Sequence, residues 1–355
     1  MKIEKHSTSN VIACLGGDQI IMETRPINMP SEGEMLLQLR VVGFCGTDMF
    51  KLTTGKIDKG IVLGHEIVGE VVKIGENVNR FNIGDRVVVP HHVACGQCLL
   101  CQNGNETMCD LFRVNLIEPG GFADHILVKD RATSRAAHKI PDEISDSAAV
   151  FMEPAACVLR GVNRSGLSSN GTVAILGGGS MGLLHLLVIK AIRPKAKTLL
   201  IDPLSKRRTL ALELGADITS APNEAAIAAA FTMTNGFGVD VVFDTVGGGK
   251  VLESALALGR QGGSIILFAH APNNVKTEID LNNIFKHERR IIGTYSGALT
   301  EQFTVFDLIT SKQLDPTPLV SHIMPLDEFS TAYNLIKHRQ ALKVLFTLSR
   351  GSAET

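Results

Sequence analysis

The sequence predicts an α/β protein of two domains, one rich in short β-strands and barrel-like, the other a doubly wound parallel sheet. Three observations predict it. The chain has 355 residues, more than one core usually accommodates, so two domains are expected. Its first part consists of short β-type runs broken by Gly, Pro and Asn. From Thr172 onward, apolar or β-branched runs alternate with helical patterns, as strands and crossover helices do in a parallel sheet.

Taken in order, residues 35–42, 67–74 and 86–89 read as strands of the first domain, with turn residues between them. The pattern changes near Pro154. Strand 172–176 leads into a helix through Lys190, then strand 198–201 and a helix over 206–214. Strand 239–243, a helix over 250–258 and strands 264–268 and 291–293 continue the alternation. A helix at 300–311 and a last strand at 344–348 read as rejoining the first domain. No internal repeat or low-complexity segment interrupts the chain.

A hydrophobic content of 45% supplies ample core, and 20% charge suits an ordinary surface. The net charge of −1 and the lack of a long Lys/Arg run argue against a nucleic-acid partner. The richest basic stretch, Lys206-Arg207-Arg208, sits in a helical pattern and reads as a solvated face. No segment approaches the ~20 apolar residues of a membrane span. The amino terminus has no apolar stretch after a basic one, so no signal peptide is expected and the reading is cytoplasmic. In a reducing compartment seven cysteines point to metal rather than disulfides.

Cys95, Cys98, Cys101 and Cys109 follow the spacing C-x2-C-x2-C-x7-C within fifteen residues. Four thiolates on one loop can surround Zn²⁺ tetrahedrally at about 2.3 Å and leave no position open, which makes such a site structural. Four unrelated buried thiols would have to cluster by chance to give the same pattern.

Gly177-Gly-Gly179-Ser-Met-Gly182 is a G-x-G-x-x-G turn between a predicted strand and the helix that follows. Gly177 permits the tight turn, Gly179 lets a pyrophosphate approach the backbone, and Gly182 lets helix pack on strand. The phosphates would lie on the helix amino terminus. Asp202, twenty-five residues past Gly177, ends the next strand. A carboxylate there accepts from a ribose 2′-hydroxyl and repels a 2′-phosphate, so NAD is favoured over NADP. Arg207 lies within reach of the same ribose, and Arg208 nearby keeps NADP open.

Three further pieces stand apart: Cys45-Gly-Thr47-Asp48, Gly64-His65-Glu66 and Glu153-Pro154. Each has an ordinary reading by itself, since a lone Cys is usually a small buried hydrophobe, and spacing does not join them. The run Gly64-His65-Glu66-x2-Gly69-x5-Gly75-x2-Val78 resembles the signature of the zinc-containing medium-chain alcohol dehydrogenases. Cys45-Gly-Thr47-Asp48, the four-cysteine loop and the glycine turn occur in that family's order. Glu153 in Glu-Pro-Ala-Ala is similar to the sorbitol and threonine dehydrogenase branches.

The resemblance implies a GroES-like catalytic domain at 1–155 and 295–355, and a Rossmann NAD-binding domain at 156–294, with the active site in the cleft. It implies that Cys45, His65 and Glu153 bind a catalytic zinc, with Glu66 behind or beside the metal and able to exchange onto it. Asp48 would hydrogen-bond the His65 ring and fix its tautomer. One thiolate, one imidazole and one carboxylate leave Zn²⁺ residual Lewis acidity. Thr47 would take the alcohol proton. Relatives commonly carry a histidine three residues later, where this chain has Phe50, so Lys51, the cofactor ribose or water remain as exits.

The implied activity is hydride transfer between a secondary alcohol or polyol and NAD, in a homodimer or homotetramer with two zincs per chain. Two rival readings are a zinc-free reductase of the same fold and a dinucleotide-binding protein without catalysis. Cys45, His65, Glu153, Thr47 and Asp48 together weigh against both. Adjacent residues of a strand face opposite ways, so His91 and His92, just before the cysteine loop, are not expected to enter one site together. Cys14 and Cys157 read as buried thiols. Two Tyr and no Trp offer few walls for a planar substrate, and threonine, a polyol, a polyol phosphate and a diol all stay open.

Overall fold

The computed structural model of the chain describes residues 7–54, 57–271 and 274–350. The amino-terminal stretch read above for a signal peptide (residues 1–6) lies outside them. The described residues up to Glu153 and from Ala298 onward form one compact unit, and Pro154–Gly297 form the other.

In the second unit six strands form one sheet, in the order Ile218–Ser220, Lys197–Ile201, Thr172–Leu176, Val239–Asp244, Gly259–Leu267 and Arg290–Gly293. All neighbouring pairs are parallel. Numbered along the chain this order is 3-2-1-4-5-6, that of a doubly wound dinucleotide-binding sheet. The central strand Thr172–Leu176 is buried at every position but its first, as expected of a strand covered on both faces. Helix Ser180–Ile192 follows it, and Ser205–Glu213 follows the next strand. Strand Ile218–Ser220 and the Ala-rich helix Glu224–Met233 escape the sequence reading. Three residues show too little alternation for a strand, and a run of alanines marks no apolar stripe.

In the first unit an eight-stranded sheet runs Val320–Pro325, Lys343–Thr347, Met35–Gly43, Glu66–Ile74, Arg86–Pro90 and His138–Lys139, with His125–Val128 also paired to Met35–Gly43 and Ile117–Glu118 paired to His125–Val128. It is antiparallel except where Val320–Pro325 pairs with Lys343–Thr347. Strands Thr8–Gly16 and Gln19–Pro26 form a separate two-stranded sheet.

The first unit's core includes Phe44, Phe122, Phe329 and Phe346, packed edge-on and stacked with ring centroids 4.9–5.9 Å apart. Such pairs add about 0.5–1.5 kcal/mol each beyond the area they bury. Phe44 precedes Cys45, and Phe122 packs against Gly64, so this aromatic cluster is the floor on which the site residues rest. No described helix is long and apolar enough to cross a membrane.

Candidate metal centres and dinucleotide turn

Gly43 and Glu66 face each other across an antiparallel ladder. That register carries the segment after one strand, Phe44–Cys45, beside the segment before the other, Gly64–His65. Gly64 has φ +86°, and a Cβ there would stand 2.8 Å from Phe122; only glycine brings His65 this close to the floor. A sulfur of Cys45, a ring nitrogen of His65 and a carboxylate oxygen of Glu66 lie within 4.8 Å of one another.

Asp48, in the first turn of helix Gly46–Thr54, is fully buried behind them. Its carboxylate accepts the N–H of Cys45 at 3.1 Å and that of Gly64 at 3.3 Å, and Oδ1 lies 3.3 Å from Nδ1 of His65. The other ring nitrogen, Nε2, is thereby left for a metal. Burial would raise the Asp48 carboxyl, but His65 and the Cys45 N–H outweigh it and hold the group below the usual carboxylate range. Burial would lower His65, but Asp48 and Cys45 outweigh it and lift the ring well above its ordinary value.

Thr47 is half-buried in the first turn of the same helix, Phe50 is half-buried, and Lys51 is exposed. Glu153 is buried in the first turn of helix Met152–Ser165 and is not one of the three-residue group. The sequence reading missed Lys343, which forms a buried ion pair with Glu66 Oε2. Burial would lower its ammonium, but Glu66 and then Cys45 raise it above the ordinary lysine value. The signal was a lysine bordering the apolar run Val344–Phe346, where an unpaired charge would be costly.

His91 and His92 belong to neither metal group, but the strand argument is not what separates them. The strand Arg86–Pro90 ends before them, so strand alternation does not apply, and their ring centroids lie 3.7 Å apart. His91 also packs on His65 at 4.8 Å, and His92 on Phe112 at 5.2 Å. Burial first, and then the nearby His65, lowers both rings, His92 to about 4. Cys14 is buried, whereas Cys157 is half-buried, not fully buried as expected.

In the cysteine loop all four sulfurs lie within 4.8 Å of one another. Sγ of Cys101 is 3.8 Å from that of Cys95 and 3.5 Å from that of Cys98. Thiolates about 2.3 Å from a tetrahedral zinc stand about 3.8 Å apart, so the loop already has the dimensions of such a site. The N–H groups of Gln97 and Cys98 point at Cys95 Sγ and lower its thiol to about 6. Arg135 anchors the loop through the carbonyls of Ala94 and Cys95.

In the second unit Gly177 has φ +99°, and a Cβ on Gly182 would strike the Gly177 carbonyl oxygen. A Cβ on Gly179, by contrast, would meet only Arg207 Nη1 at 3.9 Å, so the backbone there is open to a ligand. Asp202 is 3 % exposed. Its Oδ2 accepts the Gly178 N–H at 2.7 Å, its Oδ1 accepts the Leu204 N–H at 2.8 Å, and Arg207 Nη1 stands 3.7 Å away. Arg208 donates to the carbonyls of Asp202 and Pro203. Lys206 is exposed, but the two arginines are half-buried, so the basic stretch is not one solvated face. Acceptors at the end of the strand draw the guanidinium groups inward.

Two family models match the chain: the alcohol dehydrogenase GroES-like domain over residues 31–142 and the zinc-binding dehydrogenase over residues 180–311. A sorbitol dehydrogenase of Bacillus subtilis is 32% identical over 83% of this chain and 86% of its own. An L-threonine 3-dehydrogenase of Pyrococcus horikoshii is 31% identical over 92% and 98%. The crystal structure of a zinc-binding dehydrogenase from Sinorhizobium meliloti 1021 bound to NADP superposes with a TM-score of 0.85, at 28% identity, over 96% of this chain and 100% of that one. With a six-stranded doubly wound sheet, a four-thiol loop and the Cys45–His65–Glu66 group already in place, these likenesses have one reading: the chain belongs to the zinc-binding alcohol dehydrogenase family and is a hydride-transferring oxidoreductase.

Proposed function

We propose that the chain oxidises a secondary alcohol or polyol with NAD, using zinc held by Cys45 and His65 together with Glu66 or Glu153, and a second, structural zinc in the cysteine loop. The observation that carries this reading is the Cys45–His65–Glu66 group with Asp48 behind it. The residues fit a zinc ion: one thiolate, one imidazole and one carboxylate are its usual donors. Glu66 Oε1, moreover, is buried with no hydrogen-bond partner. Bound there, zinc supplies a Lewis acid that lowers the pKa of an alcohol.

Asp48 holds Nδ1 of the His65 ring and so turns Nε2 toward the metal position. Thr47 stands two residues beyond Cys45 and takes the alcohol proton through its hydroxyl. Phe50 gives that proton no onward acceptor, so the next step falls to water or the cofactor ribose. Asp202 shapes the glycine turn through the Gly178 N–H and sets its negative charge against a 2′-phosphate. Sorbitol is a polyol and L-threonine carries a secondary alcohol, which supports that substrate class from two similar chains. The enzyme is cytoplasmic on this reading, and works as a homodimer or homotetramer.

The test is a screen of NAD and NADP reduction across simple alcohols, polyols and amino alcohols. Turnover with NAD on one of these classes is expected. No turnover by a zinc-loaded preparation across all of them would refute the reading.

A further inference from the structure

Strands Thr8–Gly16, Met35–Gly43 and His125–Val128 wall a cavity of about 240 Å³ that shares no residue with either metal group. That is more room than the roughly 150 Å³ in which an apolar cavity holds benzene. It is less than the roughly 300 Å³ at which pockets for drug-sized ligands begin. Ser9 and Val11 alternate along one strand and His125 and Leu127 along another, with Leu36 opposite Leu127. Strand periodicity thus turns one face of each toward this space. All five residues are buried, whereas Pro26 and Asn28 are exposed and form the mouth.

This floor is apolar except at Ser9 and His125. The Ser9 hydroxyl is engaged: it accepts the His125 backbone N–H at 2.9 Å and donates to the Asn10 carbonyl at 3.3 Å. The His125 ring is not. The residue is 6 % exposed, yet neither Nδ1 nor Nε2 has a hydrogen-bond partner among the described residues. Buried polar atoms are paired as a rule, so a ring bare at both nitrogens beside open space points to a guest.

Burial lowers the pKa of this ring more than Asp124 raises it, which keeps the imidazole neutral near pH 7. A neutral ring offers one N–H and one acceptor nitrogen. The charges around the cavity are engaged elsewhere. Arg25 donates to Glu23 and to the Gly60 carbonyl, both at 2.7 Å, and Glu118 pairs with Lys129 at 3.0 Å. Those pairings favour a neutral guest over a phosphate or a carboxylate. Water satisfies the nitrogens but gains nothing from the apolar walls, where a carbon skeleton removes surface from water.

We propose that this cavity is a binding site, separate from the metal groups, for a small neutral molecule with at least two hydroxyl groups. Its hydroxyls meet the two ring nitrogens of His125, and its carbons lie against Val11, Leu36 and Leu127. A hydroxyl both donates and accepts, so one kind of group serves both nitrogens.

The experiment uses the full zinc-loaded chain with ¹⁵N-labelled histidine, titrated with glycerol, 2,3-butanediol and inorganic phosphate. At least one of the two alcohols should shift the His125 ring signals saturably, and phosphate should not. Because an alcohol also suits the metal group, Cys45→Ser is titrated in parallel and should give the same dissociation constant. In that background, saturation transfer to the alcohol should show binding weakened about tenfold by His125→Phe, which removes both hydrogen bonds. Asn28→Phe narrows the mouth from an exposed position and should weaken binding too, so it gives an answer even if His125→Phe does not fold.

No saturable shift with either alcohol would mean that the cavity holds water only, and would overturn the proposal. So would a shift that vanishes in Cys45→Ser, one that Asn28→Phe leaves unchanged, or a saturable response to phosphate.

Discussion

Asp48 Oδ1 lies 3.3 Å from His65 Nδ1, while the same carboxylate accepts the N–H groups of Cys45 and Gly64. One buried anion thus ties together the two chain segments that carry the thiol and the imidazole.

Replacing that anion tests the tie. Asp48→Asn keeps the shape and removes the charge. Its amide can turn its oxygen toward only part of the donor set, leaving at least one buried group poorly satisfied. The expected cost is about 1–3 kcal/mol of stability and about 10–100-fold in the affinity of one zinc. Chemical denaturation and chelator competition measure the two effects separately.

Asp202 braces the glycine turn, and in the proposed function it also meets the cofactor ribose. Asp202→Ser should weaken NAD and narrow its advantage over NADP, because the charge that repels a 2′-phosphate is gone. It should also destabilise the turn, since the Gly178 and Leu204 N–H groups lose their acceptor. Binding of the two cofactors followed by fluorescence decides the first point. An unchanged preference would count against the ribose assignment.

His185 is fully buried against Phe243 and Phe268, and burial lowers its pKa from 6.5 to about 4. A ring held neutral in the fold gains a proton more readily once unfolded. Its contribution is therefore fully present above pH ~6.5 and is lost as pH falls toward about 4, where the loss reaches at most about 3 kcal/mol. His185→Met should flatten part of that acid limb in melting curves between pH 4 and 7. His138, also lowered by burial to about 4, supplies a further part with the same sign.

What was legible in the sequence was local. The cysteine loop carries its ligands within fifteen residues, and the glycine turn sits between a strand and its own helix, so spacing alone proposes both sites. The strand–helix alternation likewise yields the parallel sheet. Cys45 and His65 are joined instead by an antiparallel register, Gly43 opposite Glu66. No spacing expresses that register, and only the family resemblance connected them.

Lys343 was invisible for a related reason: the last strand was drawn from residue 344, and its lysine meets a partner 277 positions away. The close approach of His91 to His92 was out of reach because the opposite-faces rule of a strand was applied to residues that lie beyond the strand's end at Pro90.

The central claim is that Cys45 and His65 hold a zinc distinct from that of the cysteine loop. Elemental analysis of wild-type protein and of Cys45→Ser, side by side with NAD reduction, tests it most directly. The account predicts about two zincs per chain falling to about one, with turnover abolished and NAD binding kept. Equal zinc content in the two proteins, or unchanged turnover by Cys45→Ser, would contradict it.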